Sequence, residues 1–309
     1  MRCFVSGATG FIGSHLLQRL VAADIATAIL IRSASNTWRI QDLLPMVVQI
    51  EGDLKDLSAA ECEIKSFAPD TIIHLGWHGV GNRYRNDPLQ IDYNIPSSSA
   101  LLHLAHRIGV KTWIGLGSQA EYGPSNRQIG EETPTKPTTL YGVAKLCVCL
   151  IAQHLCSQFN MRFIWLRLFS SYGPMDEQGW LIPSIILSLL RGERPSLTEG
   201  VQRWDYLYVT DVAEAIYQVV VTPNAHGIFN LGSGQAHMVR SIAERIRDLI
   251  DPSAPLGFGE VLYRPHQIMH LQADLTRLQQ ATGWKPKIML DEGLRHTVEW
   301  FRENRWRYE

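Results

Sequence analysis

Gly7-Ala8-Thr9-Gly10-Phe11-Ile12-Gly13 follows directly on a short apolar run, Arg2-Cys3-Phe4-Val5-Ser6. It leads into Ser14 to Ala23, where Leu16, Leu17, Leu20 and Val21 recur at helical spacing. The run before reads as a buried parallel strand and the stretch after as an amphipathic helix. The glycines therefore sit on a strand-to-helix turn. Gly7 permits the tight turn, Gly10 lets the backbone approach a phosphate, and Gly13 lets the helix pack close to the strand. The helix start adds amide donors and positive potential, so the segment predicts a dinucleotide pyrophosphate site.

The next strand, Ala28 to Ile31, ends in Arg32-Ser33 and not in Asp or Glu. An acid there would accept from the ribose 2′-hydroxyl of NAD, whereas an arginine suits a 2′-phosphate. NADP(H) is therefore the expected cofactor, with NAD(H) left possible through a neighbouring acid. Gly52-Asp53-Leu54 follows a third strand, Val47 to Glu51. Asp53 reads either as an acceptor for the adenine amino group or as a helix N-cap.

Working outward, the first half keeps this βαβ rhythm. Thr71 to Gly76 reads as the fourth strand, and Thr112 to Gly117 as the fifth, ending at Ser118. Phe163 to Leu168 is the sixth. Helices are expected over Ile91 to Ile108 and Leu140 to Phe159. The polar stretch Trp77 to Pro88 lies where open α/β sheets place ligands. A loop rich in Gly, Pro and Thr runs from Gly123 to Thr139. The second half is less regular: a helix from Trp180 to Leu190 opened around Pro183, a strand at Tyr206 to Val209, Asp211 starting a helix over Val212 to Val221, and a strand at Ile228 to Leu231. The tail, Asp274 to Arg307, alternates helix and turn. The fold class expected is α/β: a Rossmann-type doubly wound parallel sheet with a smaller mixed α/β C-terminal lobe. The dinucleotide-binding domain would cover residues 1–170 with returning segments near 204–232, and residues 171–309 would mainly form the second lobe.

With 309 residues, 45% hydrophobic content and a formal net charge of −1, the chain can bury a full core and has no basic excess for nucleic acid. No apolar run reads as a membrane span, and the first residues lack a signal-peptide layout. Cys3, Cys62, Cys147, Cys149 and Cys156 show neither metal-ligand nor disulfide spacing, and no metal is expected. A reducing cytoplasm is the simplest reading.

Tyr141-Gly142-Val143-Ala144-Lys145 places a phenol and an ammonium at i and i+4, on one helix face. A nearby ammonium stabilises phenolate, so the phenol could trade a proton near neutral pH. Ser118, 23 residues earlier at a strand end, could bind the same substrate oxygen. A glycine turn that holds a nicotinamide cofactor, followed by this trio, points to proton and hydride transfer at one carbon.

Here the chain resembles the extended short-chain dehydrogenase/reductases, the nucleotide-sugar epimerase, dehydratase and ketoreductase family. The resemblance is carried by the glycine turn, Ile72-Ile73-His74-Leu75-Gly76, Asp92-Tyr93-Asn94, Gly117 to Gly123, Tyr141 to Lys145, Arg167 to Pro174, Gln202 to Val212, Arg264-Pro265 and Gly283 to Pro286. It implies Ser118, Tyr141 and Lys145 as the catalytic set. It implies cofactor contacts from Gly7, Thr9, Gly10, Phe11, Ile12, Gly13, Leu54, Leu75, Tyr141 and Lys145, beside Arg32, Ser33 and Asp53. It implies nucleotide-sugar contacts from Asn94, Ser118 and Gln119, with Arg203 and Arg264 on the diphosphate, and a homodimer built as a four-helix bundle. Leu101, Leu104, Val148, Leu150 and Ile151 are apolar beyond one buried stripe and suit such an interface.

Dehydratases of this family carry two acids right after the catalytic Ser or Thr. Here Gln119 and Ala120 stand there, and Glu121 is displaced by one, expected to point elsewhere on the strand. Dehydration is thus disfavoured. Arg32 argues for exchangeable NADPH and net redox turnover. The expected reaction is NADPH-dependent reduction at C4 of a nucleoside-diphospho-4-keto-6-deoxyhexose, giving a deoxysugar nucleotide for glycan biosynthesis. The alternatives are an epimerase holding NAD(P) tightly and a non-catalytic NADP-binding regulator.

Overall fold

The computed structural model describes residues 1–264 and 267–308. The helices are α1 (Phe11–Ala22), α2 (Ser58–Phe67), α3 (Leu89–Asp92), α4 (Asn94–Arg107), α5 (Leu140–Gln158), α6 (Leu181–Leu190), α7 (Val209–Val221), α8 (Val239–Ile250), α9 (Thr276–Thr282) and α10 (Leu290–Asn304). The strands are β1 (Arg2–Ser6), β2 (Ala26–Ile31), β3 (Val48–Glu51), β4 (Thr71–His74), β5 (Thr112–Ser118), β6 (Arg162–Leu168), β7 (Ser170–Tyr172), β8 (Ser196–Leu197), β9 (Arg203–Tyr208), β10 (Gly227–Leu231), β11 (Ala236–Met238), β12 (Gly257–Phe258) and β13 (His270–Leu271).

Seven strands form one parallel sheet in the order β10-β6-β5-β4-β1-β2-β3. The direction of strand order reverses between β1 and β4, which is where such sheets open a ligand crevice. The apolar run in β1 serves two cores at once. Cys3 and Val5 face Leu16, Leu17 and Leu20 of α1, while Phe4 faces Ile64 of α2 and Leu101 of α4. Side chains alternate along a strand, so a strand covered on both faces must be apolar at every position. α7 returns from the second lobe to pack on α1, and β10 closes the sheet edge beside β6.

The C-terminal lobe has its own core, with Ile185 and Ile186 of α6, Ile242 and Ile246 of α8, and Leu294, Val298 and Phe301 of α10 against Tyr206 and Tyr208 of β9. Its sheet centres on β9, flanked by β11 antiparallel and by β13 and β7 parallel. Asp205 fastens this lobe from within. Its fully buried carboxylate accepts from the Ser233 amide and hydroxyl at 2.6 Å each and from the Gly234 and Ala273 amides at 3.0 Å each.

Several sequence expectations are corrected. The helix expected over Ile91 to Ile108 is broken at Tyr93, where α3 ends and α4 begins. The break frees Gln90 and Asn94 to bind the preceding loop with their side chains. α1 starts at Phe11, not Ser14, and Pro183 sits in the first turn of α6, where its missing amide costs no helical hydrogen bond. Glu121 lies on a single 3₁₀ turn after β5, not on a strand. Leu101, Leu104 and Val148 are buried in the chain's own core, and only Leu150 of the expected interface set is exposed, with Ile151 partly covered. By length and composition α5 could cross a membrane, contrary to the reading of the sequence. Its buried face packs instead against the core beneath β5 and β6, next to α4.

Candidate active site

A cavity of about 770 Å³ opens at the C-terminal ends of the parallel strands, with walls from both lobes. Its floor is the glycine turn. Gly7 has φ +79°, and a Cβ there would lie 2.6 Å from the Gly76 amide nitrogen of the neighbouring strand exit. A Cβ on Gly13 would lie 2.1 Å from the Gly7 carbonyl oxygen, so helix and turn pack backbone to backbone. Gly10 caps α1 with extended dihedrals and no side-chain acceptor, and no acid lies in the first turn. The first amides of α1 therefore remain for an anionic ligand. This cradle fits the pyrophosphate of a dinucleotide.

Thr9, Phe11, Ile12, Leu54 and Leu75 line the same cavity, as do Arg32 and Asp53. Ser33 does not; Ser35 does, and its hydroxyl accepts from the Arg32 amide at 3.0 Å. The turn after β2 thus presents its first and fourth residues to the cavity. Asp53 accepts from the Tyr93 hydroxyl at 2.6 Å. Burial pulls its carboxyl up, but the hydrogen bonds from Tyr93 and the Lys55 amide, with the charge of Arg32, hold it below the usual range.

Ser118, Gln119, Tyr141 and Lys145 meet on the opposite side. Ser118 ends β5 and caps the following turn, accepting from the Ala120 amide at 3.2 Å. Thr139 caps α5 by accepting from the Gly142 amide, which sets Tyr141 and Lys145 in its first turns. Lys145 Nζ donates to the Leu116 carbonyl at 2.7 Å and lies 3.6 Å from the Trp77 ring centroid, but 5.9 Å from that of Tyr141. Burial brings Lys145 down to about 7, against the pull of Glu121. Burial also raises the Tyr141 phenol. The groups that oppose the rise are Arg85, through its charge, and Ser118.

Glu121 is out of reach of a substrate. It is fully buried, accepting from Arg167 Nε at 2.7 Å, Trp165 Nε1 at 3.0 Å and the Ser118 amide at 2.8 Å. It holds Ser118 in place and offers the cavity no acid. His74, behind Lys145, sits between the Ser6 and Ser98 hydroxyls and is kept neutral by burial, down to about 3.

Asn94 lies outside the lining. Its amide accepts from the His78 amide at 2.8 Å and donates to the His78 carbonyl at 3.0 Å, which shapes the loop that does line the cavity. Arg203 is also outside: Gln202, just before β9, and Trp204 on it face in, and Arg203 faces solvent and donates to the Ala236 carbonyl. Strand alternation imposes this, and the motif alone did not reveal which face was inward. Arg264 lines the mouth, while Pro265 lies outside the described residues. Arg85 and Trp77 line the cavity from the loop after β4, within the Trp77 to Pro88 stretch expected near a ligand but with no single residue picked out. The only signal was that loop's position at a strand exit. Reading the sequence missed Asp176 on the far wall, whose carboxyl burial pushes well above the ordinary range.

Fold and site together define a dinucleotide-binding α/β protein with a serine, a tyrosine and a lysine at one end of its cleft. The sequence model of the NAD dependent epimerase/dehydratase family matches residues 3–232, and the chain belongs to that family of nucleotide-sugar enzymes. UDP-glucose 4-epimerase from Azospirillum brasilense is 28% identical over 327 residues, 97% of this chain and 92% of that protein. dTDP-D-glucose 4,6-dehydratase from Mus musculus is 26% identical over 319 residues, 98% of this chain and 89% of that one. Among solved structures, UDP-N-acetylglucosamine 4-epimerase from Methanobrevibacter ruminantium superposes with a TM-score of 0.90 at 26% identity, covering 98% of each chain. DesIV, a dTDP-glucose 4,6-dehydratase from Streptomyces venezuelae with NAD and TYD bound, shares the fold at a TM-score of 0.89 and 24% identity, covering 100% of this chain and 99% of that one.

Proposed function

We propose that the protein reduces the C4 carbonyl of a nucleoside-diphospho-4-keto-6-deoxyhexose, with NADPH as preferred reductant, giving a deoxysugar nucleotide for glycan assembly. The observation that carries this reading is the set of acid–base groups around Ser118. Gln119 and Ala120 follow it, neither titrates, and the nearest acid, Glu121, is bound to Arg167, Trp165 and the backbone. That leaves proton exchange with one oxygen, through Tyr141, as the chemistry the trio supports, and disfavours loss of water. Arg32 on the cavity wall supports a 2′-phosphate.

A bound reduced nicotinamide would supply the hydride. Ser118 orients the substrate oxygen, Tyr141 gives it a proton, and Lys145 holds the cofactor ribose. Arg264 stands at the mouth, where a diphosphate would enter. The second reading, a nucleotide-sugar 4-epimerase that keeps its cofactor, is favoured by the epimerases among the relatives and by NAD in structural neighbours. The two separate in one assay. Protein mixed with NADPH and a panel of 4-keto-6-deoxy sugar nucleotides should oxidise the cofactor in proportion to product. No loss of reduced-nicotinamide absorbance, together with interconversion of UDP-glucose and UDP-galactose without added cofactor, would replace the reductase with the epimerase.

A further inference from the structure

A second cation, besides the lysine one turn away, lies against the Tyr141 ring. Lys145 Nζ donates to the Leu116 carbonyl and lies over the Trp77 ring, 5.9 Å from the Tyr141 ring centroid. The Arg85 guanidinium is closer, with Cζ 4.1 Å from that centroid. Arg85 is also fastened to the tyrosine through the backbone: the Tyr141 amide donates to the Arg85 carbonyl at 2.9 Å, and the next residue, Asn86, accepts from the Leu140 amide at 3.1 Å. The loop that carries it is braced from within. Gln90 donates to the Gly79 carbonyl at 2.6 Å and the Tyr84 carbonyl at 3.0 Å, and accepts from Trp77 Nε1 at 2.8 Å. Arg85 is half-buried and lines the cavity.

We propose that Arg85 is a positioning residue that acts through Tyr141, its guanidinium lying on the ring to stabilise the phenolate form over the phenol. The proposal rests on the reading of Tyr141 as the proton-transfer group. A guanidinium against an aromatic face gains from the ring quadrupole, and gains far more once the ring carries a full negative charge in a site shielded from water. The planar guanidinium also stacks flat on an aromatic face, which a compact ammonium cannot do. The other groups facing Tyr141 do not supply the same field. Lys145 on its own helix is brought down to about 7 by burial. Glu121 beyond β5 works against phenolate and is paired with Arg167. Ser118 is uncharged, and His74 is held neutral.

The test uses the full-length protein labelled with ¹³Cζ-tyrosine. The resonance absent from Tyr141→Phe is assigned to Tyr141, and its ionisation is followed against pH in wild type, Arg85→Met, Arg85→Gln and Arg85→Lys, with near-ultraviolet circular dichroism checking that each stays folded. The Tyr141 midpoint should lie at least one pH unit higher in Arg85→Met or Arg85→Gln than in wild type, a tenfold change in the ionisation constant. Arg85→Lys should return most of the shift. Coincident midpoints in wild type and a folded neutral variant overturn the proposal, as does a folded Arg85→Lys shifted as far as Arg85→Met, or a Tyr141 resonance that titrates in none of them. Turnover by Tyr141→Phe is measured separately. Normal turnover there, with the Arg85 effect intact, would remove the catalytic reading of Tyr141 and leave the coupling standing.

Discussion

At the residue scale, the proposed chemistry turns on one hydroxyl. Tyr141→Phe keeps the ring against Trp77 and Arg85 and deletes only the hydroxyl. Turnover should fall about a hundredfold or more, the usual range for a lost general acid, while cofactor affinity measured by fluorescence titration stays within a factor of about two. Arg32→Asp reverses the charge at the end of β2. A charge-assisted hydrogen bond contributes about 1.5–3 kcal/mol, and about 1.4 kcal/mol is a factor of ten in affinity. The variant should therefore bind NADP at least tenfold more weakly and gain affinity for NAD. Equal binding of both cofactors by wild type would remove Arg32 as the selector. Lys145 adds a pH signature. Its folded pKa of about 7 lies below that of a free lysine, so below pH 7 the folded chain carries the full cost of a buried charge. Above about pH 10 the unfolded chain has also lost that proton, and the cost is gone. In cofactor-free protein, wild type should gain stability relative to Lys145→Met as pH rises from 7 to 10, read from denaturant midpoints; a flat difference would contradict the depressed pKa.

At the element scale, the legible parts of the fold were those whose chemistry is local. A glycine turn between an apolar strand and an amphipathic helix announces itself, because Gly7 and Gly13 answer to their immediate neighbours. A tyrosine and lysine at i and i+4 likewise share a face whatever else surrounds them. What could not be read depends on partners far along the chain. β7, β11 and β13 are two or three residues long and exist because β9 offers edges to them, so no periodicity marks them. Arg203 shows the same limit, since its motif is recognisable but the face it turns inward is set by sheet pairing. Asp205 is the clearest case: an acid within a strand reads as solvent-facing, yet it gathers Ser233, Gly234 and Ala273 into one buried knot. Asp205→Ala would leave those donors unsatisfied at about 1–3 kcal/mol each. The loss should come to about 3 kcal/mol or more in urea unfolding, and a loss under about 1 kcal/mol would show that the knot is not what fastens the lobe.

At the scale of the whole molecule, the site belongs to no single lobe. The glycine turn and the trio come from the parallel sheet, the far wall comes from α6 and β9, and returning elements α7 and β10 tie the two together. The reverse face of α5 bears on how copies of the chain associate. Tyr141, Ala144, Lys145, Val148, Ala152 and Cys156 point into the fold, while Val143, Cys147, Leu150 and His154 run down the other side at spacings of four, three and four. Val143 is 41% exposed and Leu150 is 56% exposed, a costly arrangement for an apolar stripe left in water. Most of the apolar residues first counted toward an interface belong to the chain's own core, so the case for association rests on this narrower stripe, with α4 beside it. We expect a homodimer in which α4 and α5 of each copy pack as four helices. Leu150→Glu should shift sedimentation at micromolar concentration from dimer to monomer and leave the melting temperature of the folded chain nearly unchanged, because the side chain is not part of its core. A wild-type protein that sediments only as a monomer would leave the stripe without a partner of its own kind and remove the dimer from this account.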